Sequence, residues 1–421
     1  MLIVRIFALA SFVLGRLVAA EPAGDWPQFR GPTGQGGSAA VNVPVEWSGD
    51  KNVAWKAAIP GTGASSPVLD GGRVLVTSAH PDDSGAPAVQ LWCLDAGTGR
   101  VEWRTALFPT AELPLREGHE RNSAAHATPI VEGDRIYVYA GHHGAACLDR
   151  TGKILWRNPR LRFDPVPLGG GSPILAGDLL VYVADCATAP FVTALDKTTG
   201  KTRWRVPRAL PGKMKFSFGT PLAIEESGRR QIVVVGAGAV TALDSEDGRE
   251  LWRVRYARDS SVGPRPVFAH GLVFVVAGYL RTELLAIRPD GVGDVTDTHV
   301  AWRVAKGAPL TPAMVVVGDD LFAVNDSGLA SCWEARTGRV RWQERIAGNY
   351  SAAPIVADGR IYFLNENGLT TVVKAAREFA TLATNSLGEL TLASPAAVDG
   401  ALFIRTAENL YRIGANSTTR P

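Results

Sequence analysis

The 421-residue chain has only four cysteines, and no two of them are adjacent. It has no Cys-x-x-Cys-His, so covalent haem attachment is not expected. Beyond the N-terminal leader no uninterrupted apolar run approaches the roughly 18 residues of a membrane-spanning helix, so the mature chain is expected to carry no transmembrane segment. Charge is nearly balanced, with 44 basic against 41 acidic residues and a net of +3, and by itself it names no partner. There is no Gly-x-Ser-x-Gly elbow and no complete glycine-rich phosphate loop ending in Gly-Lys-Ser/Thr. Gly236-x-Gly238 follows a run of valines but has no third glycine three residues later. Hydrolase, kinase and dinucleotide-binding readings therefore have nothing to rest on. Helical periodicity is nearly absent; Lys374 to Ala383 is the one short candidate, and it also reads as an outer strand.

What is present is repetition. A proline that opens a strand recurs as Ser66-Pro67, Thr128-Pro129, Ser172-Pro173, Thr220-Pro221, Arg265-Pro266, Thr311-Pro312, Ala353-Pro354 and Ser394-Pro395. Apolar residues follow each, then a turn such as Asp70-Gly71-Gly72 or Asp358-Gly359. Most units close with a small residue, an apolar one and an acid, then a Thr-Gly or Asp-Gly turn and a tryptophan. The tryptophans are Trp55, Trp103, Trp156, Trp204, Trp252, Trp302 and Trp342, 40 to 53 residues apart. A repeat of that period argues for one closed array rather than several domains. Cys93, Cys147 and Cys332 stand where other units have Ala194, Ala242 and Ala286, so they are expected to be free, buried and structural.

The ends complete the count. Residues 1–20 read as a secretory signal, with Arg5, an apolar core from Ile6 to Leu14 and a small-residue cleavage site at Val18-Ala19-Ala20. Residues 21–50 read as an irregular extended arm, 51–414 as the array and 415–421 as a flexible tail. Asn52 to Trp55 looks like the end of a repeat that lacks its first three strands, while Ser394 to Ile413 supplies three strands and no fourth. Pairing them predicts an all-β, eight-bladed propeller of four-stranded antiparallel sheets, closed by the N-terminal strand. Closure removes the open sheet edges of a linear array.

These residues resemble the pyrroloquinoline-quinone-type propeller repeat. Asp196, Thr199, Gly200 and Trp204 match its mark in full, and Asp95, Thr98, Gly99 and Trp103 match it with Cys93 in place of alanine. The unit at Asp149 is one residue shorter, and Arg288 to Trp302 carries an insertion. The ends, Trp26 to Gly36 and Asn385 to Gly414, are similar to exported bacterial propellers usually described by likeness to the propeller lipoprotein of the outer-membrane β-barrel assembly machine. That resemblance implies the fold, and function does not follow from it. The same repeat builds quinoprotein alcohol and sugar dehydrogenases, which implies a quinone and a calcium ion held by Glu, Asn and Asp. Asp185, Asn325, Asp326, Asn365 and Glu408 fall in loops between second and third strands, where such residues are ordinary turn formers.

The topology places the acid-glycine turns on one face and the long, variable loops on the other, where a site is expected. Three successive inter-blade loops, 157–171, 205–219 and 253–265, carry net charges of +2, +4 and +3. Arg160, Arg162, Arg208, Lys213, Lys215, Arg255, Arg258 and Arg265 are the candidate binding residues for an anionic ligand or an acidic envelope partner. The bland alternative places Trp-Arg arginines at strand ends. His119, His126, His142 and His143 share that face. Three imidazoles could hold zinc, but no acid is fixed beside them, and a Gly-flanked His-His turn is expected to face solvent. The sequence thus predicts a monomeric, periplasmic or cell-envelope scaffold with no catalytic residue, no metal and no nucleic-acid partner. A quinone- and calcium-dependent dehydrogenase and a carbohydrate-binding propeller are the alternatives.

Overall fold

The computed structural model describes residues 24–86, 88–109, 123–159, 170–186, 189–208, 217–256, 263–279 and 281–415. The expected signal, residues 1–20, and most of the tail lie outside them. Eight sheets form eight blades, each built on a four-stranded antiparallel meander running outward from a short inner strand; in the fourth, Gly293–Asp294 adds a short parallel fifth strand at the outer edge. Blade 1 is Val68–Asp70, Arg73–Ala79, Ala88–Asp95 and Val101–Pro109. Blade 8 takes Ala396–Val398, Ala401–Arg405 and Asn409–Gly414 from the C-terminal end, and Val53–Ala58 from the other as its outer strand. The register Val53↔Ile413 to Ala58↔Asn409 closes the ring as expected. No helix among the described residues is long and apolar enough to cross a membrane.

Each sheet is covered on both faces, so the second strands are largely apolar and buried. Leu272–Ala277 is buried along its whole length, whereas the outer strand Ile154–Asn158 alternates. The candidate helix is not one: the third strand of blade 7 ends at Lys374, and Thr381–Ser386 is the outer strand. Ala383 there faces Val372, the place that Trp342 takes opposite Cys332, so Ala383 marks the missing tryptophan. All four cysteines are buried, and none is in a disulfide.

The repeat signature has a local cause. A β-bulge interrupts the third-to-fourth-strand register at the same place in blades 1 to 7, as between Cys93 and Leu94 or Ala194 and Leu195. The docking tryptophans beside it reach the next blade's turn. A Cβ at Gly99 would lie 2.7 Å from the Trp55 ring, one at Gly152 2.7 Å from Trp103, and one at Gly248 2.8 Å from Trp204. Only glycine, at φ of +73°, +85° and +76°, lets the indole lie that close. The indole Nε1 then donates to a backbone carbonyl of the same turn, from Trp55 to Ala96, Trp156 to Lys197 and Trp302 to Ala335 at 3.0–3.1 Å. The two irregular units lose this bond. Trp103 faces the shortened turn, its Nε1 has no partner, and Arg73 takes the Arg150 carbonyl instead. Trp252 faces the inserted segment and donates to Gln231 of its own blade.

The residues before the recurring prolines form a second ring near the axis. Backbone N–H groups of Ser66, Thr128, Ser172, Ala353 and Ser394 donate to the hydroxyls of Thr128, Ser172, Thr220, Ser394 and Ser66 at 2.9–3.1 Å. The run is interrupted where Arg265, Thr311 and Ala353 stand. That gap is occupied by the N-terminal arm.

The arm is more than an irregular lead-in. Trp26 pairs with Leu69 of blade 1, and the Pro27 carbonyl accepts from Val131 of blade 2. Gln35 accepts from Phe268 of blade 5, and Arg30 donates to the Met314 carbonyl of blade 6. Gly36 and Ser38 bond Val356 of blade 7. The chain therefore crosses the axis, lining the inner strands of five blades. It then passes Asp399 and Asn385 to enter blade 8 as its outer strand. Trp26, Val43 and Trp47 join the apolar core shared by blades 1, 7 and 8.

Candidate functional site: the loop-bearing face

The loop-bearing face carries the ends of the second strands and the inter-blade connections. Of the candidate cations, Arg160, Arg162, Lys213, Lys215 and Arg258 lie outside the described residues, as does His119. The described three are already engaged. Arg208, with its side chain 5% exposed, donates to Asp185 Oδ2 at 2.5 Å and to the Val235 carbonyl at 2.9 Å. Ser217 donates to the same carboxylate oxygen at 2.8 Å. Burial pushes the Asp185 carboxyl up against the opposing pull of Arg208 and Ser217. Arg255 pairs with Asp294 of the inserted segment at 2.8 Å on the surface. Arg265 is 5% exposed and donates to the Phe29 carbonyl of the arm. Arg208 and Arg265 are therefore internal cations rather than displayed ones.

The histidines correct the expectation that their turn faces solvent. His142 and His143 are 6% and 3% exposed. Gly141–His143 is a single 3-10 turn flanked by positive-φ glycines, and it folds back so tightly that a Cβ at Gly144 would collide with the Asn158 carbonyl of the outer strand. The two imidazoles lie 4.0 Å apart by ring centroids, and His143 stacks on Phe108. Burial, then the neighbouring His142, lowers the His143 pKa to about 4. His126 stands elsewhere on the face, beside Arg405; burial and then that charge lower it to about 4. Both are neutral near pH 7. No three His, Cys, Asp or Glu side chains gather as a metal-holding group among the described residues.

The loop acids and amides largely serve their own turns. Asn325 Oδ1 accepts from the backbone of Ser327 and Leu329, and Asn365 Oδ1 from Asn367 and Leu369. Asp326 Oδ2 accepts from Leu310 and Thr311. Burial pushes the Cys93 and Cys332 thiols up to about 12 and Cys147 to about 11, so these are unreactive packing groups.

Two groups were missed. Arg405 ends the apolar strand Ala401–Arg405, is 1% exposed, and donates to Ser65 Oγ at 2.8 Å and to the Thr77 carbonyl. Its signal was a lone charge closing an apolar run. Glu389 accepts from Lys56 at 2.8 Å, Tyr411 at 2.5 Å, Thr406 at 2.6 Å and Asn409 at 2.9 Å. It stitches the N-terminal strand into blade 8, and no local pattern announces it.

The family described as outer membrane protein assembly factor BamB matches residues 48–188, 189–292 and 291–383. No curated protein matches the chain. Among solved structures, BamB from Moraxella catarrhalis is similar with 13% identity and a TM-score of 0.60, over 86% of this chain and 99% of that one. A quinohemoprotein alcohol dehydrogenase from Comamonas testosteroni is similar with 12% identity and a TM-score of 0.69, over 96% of this chain and 82% of that one. The computationally designed protein Ika8 is similar too, with 11% identity and a TM-score of 0.57, over 85% of this chain and 99% of that one. Likeness shared by an assembly factor, an enzyme and a design is likeness of fold.

Proposed function

The chain belongs to the family described as outer membrane protein assembly factor BamB, and from that premise we propose that it is an exported propeller serving as a non-catalytic interaction scaffold in the cell envelope. The observation that carries this reading is the state of the loop-face oxygens. Asn325 and Asn365 hold their own turns, Asp326 holds the backbone of Leu310 and Thr311, and one oxygen of Asp185 is held by Arg208 and Ser217. A calcium ion beneath a quinone needs several such oxygens free and convergent. The described residues do not fit that need. The scaffold presents its variable loops on a rigid ring to an envelope protein or another acidic surface, and it needs neither quinone nor calcium.

The test is a titration of the purified mature protein with pyrroloquinoline quinone and calcium. Absorbance and melting temperature are followed, with dye-linked alcohol and sugar oxidation assayed in parallel. The scaffold reading expects no saturable binding and no turnover. Saturable binding with turnover would replace it with a quinone-dependent dehydrogenase.

A further inference from the structure

The arm carries a charge problem that the ring does not solve. Arg30 and Arg265 are 1% and 5% exposed. They are held on one turn of the arm. Arg265 Nη1 donates to the Phe29 carbonyl at 3.0 Å, and Arg30 Nη2 donates to the Gln35 carbonyl at 2.8 Å and to that of Met314. Arg30 Nε and Nη1 and Arg265 Nε are buried with no acceptor. Among the described residues no carboxylate pairs with either guanidinium. Two like charges taken out of water together, with donors unmet, are unfavourable on three counts: desolvation, mutual repulsion and lost hydrogen bonds. Burial lowers both, to about 9 and about 10, and the charge of Arg265 contributes to the shift of Arg30. Both still remain cations at neutral pH.

At Arg208 the same problem is solved by an acid, Asp185. Arg405, also buried and without a carboxylate among the described residues, stands alone with no second guanidinium beside it. At Arg30 and Arg265 the acid is missing, and the surroundings are the backbones of Gly34 and Gly36. A Cβ on either would come within 2.5 Å of an Arg265 or Arg30 guanidinium nitrogen, and both glycines have positive φ. Such close walls favour a small ion over an organic acid. We propose that Arg30 and Arg265 form a binding site for a small inorganic anion, chloride under ordinary conditions, where the N-terminal arm packs against the inner strands. The anion supplies the negative charge the arm lacks and fastens it into the gap of the hydroxyl ring. This site is internal and does not depend on the scaffold reading.

Crystals of the mature protein soaked in bromide give the direct test. An anomalous peak within hydrogen-bonding reach of Arg30 Nε or Nη1 and of Arg265 Nε is expected. In solution, melting temperature at constant ionic strength is followed while isethionate is exchanged for chloride. Wild type should gain about a few degrees as the site fills, by mass action on the folded state. Arg265→Gln should lose that dependence. Water alone at the site, together with a melting temperature indifferent to chloride, overturns the proposal. If Arg265→Gln fails to fold, the wild-type crystal still decides.

Discussion

The Trp55 indole donates to the Ala96 carbonyl at 3.0 Å and its ring covers Gly99. This joins the last blade to the first through a residue near the chain's beginning. Every other docking tryptophan links blades that follow each other in sequence, but this one closes the circle.

Trp55→Phe keeps the ring contact and removes the hydrogen bond. It is expected to lower stability by about 1 kcal/mol. Trp103→Phe removes a donor that has no partner and should cost less. Parallel urea melts of the two variants check the order. Deleting residues through Ala58 removes the outer strand of blade 8 and should abolish the cooperative transition of the mature protein.

Gly99→Ala and Gly133→Ala separate backbone strain from interlocking. Both glycines have positive φ, which costs a non-glycine residue about 1–2 kcal/mol. A Cβ at Gly133 meets nothing within 4 Å, whereas one at Gly99 meets the Trp55 ring at 2.7 Å. The Gly99 variant should be clearly the less stable in thermal melts.

Arg208→Met leaves the Asp185 carboxylate buried without its cation, and a loss of about 3–5 kcal/mol is expected. Pairing Arg208→Met with Asp185→Leu should recover part of that loss. A double-mutant cycle measured by denaturant melts reads it. A purely surface role for Arg208 would make the single variant nearly neutral.

Glu389 links acid stability to ring closure. Burial would raise its pKa, but hydrogen bonds from Lys56, Thr406, Tyr411 and Asn409 prevail and hold it at about 2. A carboxyl depressed in the folded state stabilises above its ordinary value of 4.5, and the gain is lost as pH falls toward about 2. Glu389→Gln should therefore melt lower than wild type at pH 7, with the gap closing in that window. A gap independent of pH would assign the effect to packing.

How far the sequence reaches follows from the range of each interaction. The prolines, acid-glycine turns and tryptophans are local signals repeated at one period, and they alone determined the blade count, the meander and closure by Val53–Ala58. Even the two irregular units announced themselves, because a deleted or inserted turn residue is visible in one dimension and its consequence is the loss of the indole's hydrogen bond to the next turn. The fate of the charges was decided elsewhere. Arg208 and Arg265 looked like members of exposed basic loops, yet one meets Asp185 and the other meets the arm at Phe29, contacts that span 23 and 236 residues. His142 and His143 looked like a solvent-facing turn until folding laid them against the outer strand. Burial and charge pairing are sums over everything that surrounds a side chain, and in a closed ring most of those surroundings come from other blades. Only the tertiary structure could place the arm across the axis and leave Arg30 beside Arg265 without an acid.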